Sequence, residues 1–270
     1  MKRVRARSLV PLRAADLARV RGVFTDVDGT LTSSGLLRSS TVKAVEDLRA
    51  GGIPVVLVTG RPSGYAETWL RTLPVAGVVA ENGGLYLVAA AGGGFRKVFA
   101  RPASRRAADR RRLAREVARA IQRVRGARLS SDSLFTEVDL AVDYNEDVKL
   151  GPRAADRLEA LLHARGIRAV RSSVHVNAWV GDFDKAWMVR RFLRWEWGAR
   201  LLVEDRRWVY VGDSLNDAPL FAAFSLSIGV ANVRDVLGSL ETPPRYVTRS
   251  REGRGFEEVA RAILGARRGR

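Results

Sequence analysis

The chain has 270 residues, with 47 Lys and Arg against 29 Asp and Glu, a net charge of +18 and an isoelectric point near 11.3. An apolar content of 46% can build a sizeable core and excludes disorder as the main state. Zero cysteines exclude disulfides, iron–sulfur clusters, thiolate zinc sites and a cysteine nucleophile, and two histidines, His163 and His175, argue against a multi-histidine metal site.

The length fits one large domain or a core with a second lobe. All but five of the basic residues are arginine. Such a charge invites a nucleic-acid reading, and it equally fits an arginine-biased solvated surface. The apolar runs at 53–58 and 85–91 are too short to span a membrane. The run at 9–12 is too short for a signal-peptide core. The expectation is a soluble cytoplasmic protein, although residues 1–20 share the composition of an organellar transit peptide.

In chain order, an apolar strand at 22–27 leads to a helix at 40–50, which Gly51 and Gly52 stop. The continuous apolar run at 53–59 reads as a strand buried on both faces. A helix at 64–73 and a short strand at 77–80 follow. This alternation predicts a parallel sheet with crossover helices. The middle differs. Residues 85–88 and 95–99 flank Gly92, Gly93 and Gly94 and suggest a hairpin. A long basic helix at 101–125 buries Leu113, Val117, Ile121 and Val124. A strand at 135–142, a helix at 152–164 and strands at 167–170 and 174–179 complete an inserted α+β lobe. The alternation then resumes: helix 183–197, strand 208–211, helix 218–224, strand 226–230, helix 232–240, strand 246–247 and helix 256–264. The fold class expected is α/β, with residues 1–83 and 181–270 forming a Rossmann-like core and residues 84–180 forming an inserted cap.

Four strings carry the chemistry. Asp26-Val27-Asp28-Gly29-Thr30 ends the first strand, so strand alternation turns Asp26 and Asp28 to one side. In a parallel sheet the carboxyl ends of the strands form the ligand crevice. Two carboxylates there repel unless a cation or a shared proton separates them. Thr59-Gly60-Arg61-Pro62 ends the second strand and offers a hydroxyl and backbone N–H groups that suit a phosphate. Gly212-Asp213-Ser214-Leu215-Asn216-Asp217 adds carboxylates at a later strand end. Lys185 begins a helix just after the insert. Each string alone also fits a turn, a cap or a lone lysine; the four together converge on one sheet edge.

This set resembles the haloacid-dehalogenase-like (HAD) hydrolase superfamily over nearly the whole chain. The resemblance implies Asp26 as nucleophile, forming an aspartyl-phosphate, and Asp28 as general acid and then base. It implies Thr59 and Lys185 as further catalytic groups. Gly29, Thr30, Gly60, Arg61 and Asn216 would line the phosphate site. Mg²⁺ would be held by Asp26, the Asp28 carbonyl and Asp213, with Asp217 completing the acidic metal set and, with Asn216, orienting Lys185 and metal-bound water. Hard oxygen ligands suit Mg²⁺. Dehalogenases of the family lack the second aspartate, so its presence favours phosphoryl transfer.

Asp28 and Thr59 stand 31 residues apart, and Thr59 and Lys185 126 apart, so the insert falls between the second and third motifs. That spacing resembles the α/β-capped (C2B, type IIB) branch of Cof-like, sucrose-phosphate and mannosyl-3-phosphoglycerate phosphatases. Ala80-Glu81-Asn82-Gly83-Gly84 and Gly253-Arg254-Gly255-Phe256 match it, while Ala186 stands where the branch usually has Gly. The function implied is Mg²⁺-dependent hydrolysis of a small anionic phosphorylated metabolite, a sugar phosphate or a phosphoglycerate- or phosphoglycolate-type ester. The alternatives are a phosphomutase of the phosphomannomutase type and, from another class, a nucleic-acid-binding protein on a HAD scaffold. A monomer or homodimer is expected, with no membrane partner.

Substrate selection falls to the cap. His175, Asn177 and Trp179 share one strand face, and His175 and Asn177 are candidate substrate contacts beside the reading of a solvated polar face. Asp143, Asn145 and Glu146 read first as a solvated loop. Trp187, Trp195 and Trp197 read as core and interface packing. Residues 101–128 hold eleven arginines and two acids, Asp109 and Glu116. That stretch reads as a solvated face, as a device for steering an anionic substrate, or as a binding surface for nucleic acid or polyphosphate.

Overall fold

A computed structural model describes residues 9–172, 174–202 and 205–268. The arginine-rich residues 1–8 lie outside the described residues.

The central feature is a nine-stranded sheet. Its order is Val10–Pro11, Tyr246–Val247, Leu226–Gly229, Trp208–Gly212, Gly22–Thr25, Val55–Val58, Gly77–Ala80, Leu85–Ala89 and Phe95–Phe99. All neighbours pair parallel except the last two pairs, which are antiparallel. Alternating side chains give the sheet two apolar faces. Val23, Val55, Leu57, Val209 and Val211 pack on one side with Val45 and Leu48 of helix Ser39–Ala50 and Phe256, Val259 and Ile263 of helix Glu252–Arg268. Phe24, Val56, Val58 and Tyr210 pack on the other with Met188, Val189, Phe192 and Leu193 of helix Lys185–Glu196. Burying each such side chain contributes about 1.5–3 kcal/mol, so the doubly covered sheet is the rigid base of the molecule.

The register decides where the chemistry sits. Thr25 pairs with Leu57 on one side and Val211 on the other. The next residues of these strands, Asp26, Val58-Thr59 and Gly212-Asp213, therefore leave the sheet at one edge.

A second, four-stranded antiparallel sheet runs Arg168–Arg171, His175–Trp179, Leu140–Asp143, Arg128–Leu129. Leu140, Val142, Val176 and Ala178 pack against Leu113 and Val117 of helix Ala103–Ile121 and Leu158 and Leu162 of helix Pro152–His163. Ala141 pairs with Asn177 and Asp143 with His175, so these residues belong to the opposite face.

Three expectations change. The hairpin expected in the insert extends the large sheet instead, with Val78 opposite Leu87 and Leu85 opposite Phe99. The second sheet begins only after it, so the change of sheet falls near residue 100 rather than 84. The strand expected at 135–142 is a strand only at Leu140–Asp143, preceded by a 3-10 turn at Ser131–Phe135. Between them the N–H groups of Glu137, Val138 and Asp139 bond to the Glu81 carboxylate rather than to a neighbouring strand. The helix expected at 232–240 is two 3-10 turns, Ala231–Asp235 and Leu237–Ser239. Trp197 does pack with Phe24, Phe192 and Trp208. Trp187 and Trp195 are exposed and flank the Arg191 guanidinium.

Among the described residues no helix is long and apolar enough to cross a membrane. Arginines of the basic helix bond both within the helix and to the elements around the second sheet. Arg110 donates to the Asp139 carbonyl and Thr136 Oγ1, Arg112 to the carbonyls of Arg165 and Gly166, and Arg119 to Glu116.

Candidate active site

Asp26 follows its strand directly, and its N–H donates to the Val211 carbonyl at 2.8 Å, which fixes the carboxylate at the sheet edge. Lys185 Nζ donates to Asp26 Oδ1 at 2.8 Å and to Asp217 Oδ1 at 2.9 Å. The lysine is 2% exposed and Asp217 0%. Helix Lys185–Glu196 is started by Asp184, whose carboxylate caps the Trp187 N–H at 2.7 Å. Burial works against the Lys185 ammonium, but Asp217 and Asp26 outweigh it and hold its pKa above the ordinary lysine value.

Asp217 accepts from Tyr210 Oη at 2.6 Å on one oxygen. On the other it accepts the N–H groups of Asp213 and Ser214 and the Ser214 hydroxyl. Five donors, Lys185 included, saturate this carboxylate. Asp213 is less crowded: Thr30 Oγ1 donates to Oδ1 at 3.1 Å and Asn232 Nδ2 to Oδ2 at 2.8 Å.

Ligand oxygens of Asp26, Asp213 and Asp217 lie within 4.8 Å of one another. Burial, and then the Asp217 charge, push Asp213 up to about 7. Burial also raises Asp26 well above the usual carboxylate range, with Asp217 and Asp213 adding to the rise and Lys185 opposing it. The cluster holds three carboxylates against one ammonium, a charge deficit that a divalent cation would fill. Asp26 and Asp213 retain lone pairs for one, whereas Asp217 is filled by its donors.

Asp28 stands beside Arg61, which donates to both of its oxygens, Nε to Oδ2 at 3.0 Å and Nη2 to Oδ1 at 3.1 Å. Arg61 also reaches the second sheet's side of the cleft, to Asp132 Oδ2 at 3.3 Å and to Glu146 at 2.9 and 3.5 Å. Burial opposes the guanidinium charge, and Asp28 and Glu146 overcome it, so Arg61 lies above the ordinary arginine value. Glu146 Oε2 also lies 2.8 Å from His175 Nε2. The loop holding Glu146 is organised by Asp143, which is buried and accepts the N–H groups of Asn145, Glu146, Asp147 and Val148. The reading of Asp143 as part of a solvated loop is therefore corrected.

Thr59 is buried, and its hydroxyl accepts the Arg61 N–H at 3.0 Å. Gly60 lies under Asn82 and Asn177; a Cβ there would meet Asn82 Oδ1 at 3.1 Å and Asn177 Nδ2 at 3.5 Å. Gly29 adopts φ +77° in the tight turn after Asp28, and a Cβ there would strike Asp213 Oδ2 at 2.6 Å. Asn216 Oδ1 lies 2.6 Å from Ser214 Oγ and shares that hydroxyl with Asp217.

A narrow cavity lies between the two sheets, lined by Asp26, Asp28, Gly60 and Arg61 on one side and by His175 and Asn177 on the other. Asn216 is also on its wall. All four strings thus meet at one place, and His175 and Asn177 are buried and line the same cavity as Asp26.

Sequence reasoning missed Asn232, which also donates to the Gly29 carbonyl at 3.0 Å. Tyr210 was hidden inside an apolar strand. Glu81 was seen only as part of a motif. Its carboxylate, 0% exposed, accepts the N–H groups of Ser63, Glu137, Val138 and Asp139 and so ties the entry to the second sheet onto the first. Burial raises Glu81 above its ordinary value against the pull of those donors. Glu81 and Asn82 both adopt left-handed φ, 50° and 54°, and Gly83 follows at 94°, where a Cβ would meet the Asp184 carbonyl at 2.2 Å. The Glu81 hydrogen bonds offset that strain.

Residues 23–93 match the model of the haloacid dehalogenase-like hydrolases. A phosphoglycolate phosphatase of Pyrobaculum neutrophilum is 30% identical over 246 residues, covering 90% of this chain and 95% of the relative. One from Archaeoglobus fulgidus is 27% identical over 243 residues, covering 88% and 95%. The C-terminal domain of the C. albicans trehalose-6-phosphate phosphatase shares the fold with a TM-score of 0.69 at 15% identity, over 95% of this chain and 98% of that one.

Proposed function

The chain belongs to the haloacid dehalogenase-like hydrolase family and is a phosphatase of that type, and from this premise we propose Mg²⁺-dependent hydrolysis of a small phosphorylated metabolite through an aspartyl-phosphate on Asp26. The candidates are a sugar phosphate and a phosphoglycerate- or phosphoglycolate-type ester. The observation that carries the reading is the Asp26–Lys185–Asp217 chain, with Asp26 lining the cleft between the sheets and Asp28 two residues from the nucleophile.

In the first step an Asp26 oxygen attacks phosphorus, an O–P bond forms, and the ester O–P bond breaks. The departing alkoxide takes a proton from Asp28. In the second step Asp28 removes a proton from water as the water oxygen attacks phosphorus, and the Asp26–phosphorus bond breaks. Lys185 balances charge on Asp26 and the phosphoryl oxygens, and Asp217 with Tyr210 holds the ammonium in line. Burial and the Asp217 charge keep Tyr210 protonated as a donor. Thr59, the Gly60 and Arg61 backbone and Asn216 surround the phosphoryl group. Mg²⁺ would be held by Asp26, Asp213 and the Asp28 carbonyl and, when bound, would supply positive charge to the transferring phosphoryl group. Both Asp28 oxygens face Arg61, so Arg61 must turn toward an arriving phosphate before Asp28 can face the leaving oxygen.

We assign the segment from about residue 100 to 180 as the cap and His175 and Asn177 as its substrate contacts. Release of phosphate from nitrophenyl phosphate with Mg²⁺ present, and its loss in Asp26→Asn with the fold retained, tests the reading. Retained activity in that variant refutes the mechanism. Isomerisation of a sugar phosphate without phosphate release would instead point to a phosphomutase.

A further inference from the structure

The cap wall of the cavity holds a carboxylate that nothing in the proposed mechanism uses. Asp139 is 1% exposed and lines the cavity that contains Asp26. It is held on three sides. Its N–H donates to Glu81 Oε2 at 3.0 Å, its carbonyl accepts from Arg110, and its Oδ2 accepts Asn82 Nδ2 at 3.0 Å. Asn82 in turn sits against Gly60 of the phosphate motif. The remaining oxygen, Oδ1, is buried without a hydrogen-bond partner. A buried carboxylate oxygen left without a donor is costly unless a ligand supplies one.

The rest of the cavity's charge points the same way. Asp26, Asp28, Asp132 and Asp139 line it against one arginine, Arg61. All five Arg61 N–H donors are already directed at Asp28, Asp132 and Glu146. His175 Nε2 lies 2.8 Å from Glu146 Oε2 without a hydrogen bond to it, and Lys185 is taken by Asp26 and Asp217. A carboxylate on the leaving alcohol would meet four carboxylates, with the His175 ring as the one basic group on the wall not committed to a hydrogen bond. A hydroxyl would meet an acceptor.

Resting on the phosphatase reading, we propose that Asp139 Oδ1 is a specificity determinant that accepts a hydrogen bond from a hydroxyl of the leaving alcohol. The substrate is then a phosphate monoester of a polyol or sugar, not one whose alcohol carries a carboxylate. Asn177, on the same wall, is the companion contact. Burial and the neighbouring Glu81 raise Asp139 above the usual carboxylate range in the empty cavity, and a hydroxyl donating to Oδ1 would oppose that rise by favouring the ionised, accepting form. A site built to bond a substrate hydroxyl discriminates strongly against analogues that lack it.

The experiment compares kcat/KM for nitrophenyl phosphate, a hexose phosphate, glycerol phosphate and phosphoglycolate in the wild type, Asp139→Asn and Asp139→Ala, with Mg²⁺ present. The wild type should favour the better polyol ester over phosphoglycolate by roughly tenfold or more, the scale of one hydrogen bond to a charged group. Asp139→Asn presents an amide donor in place of the acceptor, and it should lower the polyol-to-phosphoglycolate ratio at least tenfold, chiefly through KM. A structural role alone would lower all four substrates together. Wild-type preference for phosphoglycolate overturns the proposal, as does a ratio unchanged in the variants. The wild-type comparison stands even if a variant fails to fold. Failure of the wild type on every substrate, the aryl ester included, overturns the phosphatase reading itself.

Discussion

Replacing Lys185 with Met probes the charge balance of the site most sharply. Lys185 is 2% exposed, with Asp26 at 2.8 Å and Asp217 at 2.9 Å. At an effective dielectric of about 20 each pair is worth about 6 kcal/mol before desolvation. Desolvation cancels much of that, but removing one partner leaves the others buried and unpaired, which costs about 3–5 kcal/mol. Here Asp26, Asp213 and Asp217 would face one another with no cation. Protonation is their escape. Both Asp26 and Asp213 already stand above the usual carboxylate range because of burial and mutual repulsion, and losing Lys185 raises Asp26 further. A carboxyl with a raised folded-state pKa favours folding below its unfolded value and loses that contribution as pH rises through the folded value. The stability lost in Lys185→Met should therefore be larger near pH 8 than near pH 5.5. Urea unfolding with EDTA at both pH values measures it. The variant's kcat should also fall about 10²–10³-fold, the scale of losing one preorganised charge contact. Equal stability loss at both pH values, or a greater loss at the acidic one, would refute the reasoning.

Two further outcomes are expected. Without metal, Asp213 holds its proton up to about 7, against about 3.9 for an unfolded Asp, so its ionisation destabilises the fold as pH rises from 4 through 7. Mg²⁺ relieves that repulsion, and its thermal stabilisation should grow between pH 5.5 and pH 8; a shift that shrinks over this range would contradict the assignment of Asp213 as a ligand. Asn232→Ala removes the donor to Asp213 Oδ2 and to the Gly29 carbonyl. It should weaken Mg²⁺ binding about 10–100-fold by calorimetry while the fold persists.

The core was legible because its strands are continuous apolar runs, and a run buried on both faces leaves a parallel sheet as the natural reading. Asp26, Thr59, Lys185 and Asp213 were legible because each ends a strand or starts a helix. The in-register pairing of Thr25 with Leu57 and Val211 turned those separate ends into one site. The hairpin at Leu85–Phe99 was misplaced because two strands and a glycine turn specify their own pairing and not the sheet they join. Residues 137–139 carry strand-like alternation, yet their N–H groups are claimed by Glu81, more than fifty residues earlier. Tyr210 and Asn232 had no local signal; their role exists only through contacts with Asp217 and Asp213. Asp139 read as an unremarked strand residue, because an unpartnered oxygen is visible only once its neighbours are placed. The net charge of +18 describes the surface; the cavity itself is acidic.

The central claim is that phosphate passes through Asp26. Acid quenching during turnover of nitrophenyl phosphate with Mg²⁺, followed by borohydride reduction and peptide mass spectrometry, tests it most directly. An acyl phosphate is reduced to the alcohol where a free carboxylate is not, so homoserine should appear at position 26 and nowhere else. Steady phosphate release with no reduction at position 26, or reduction at Asp28 or Asp213 instead, would contradict the account.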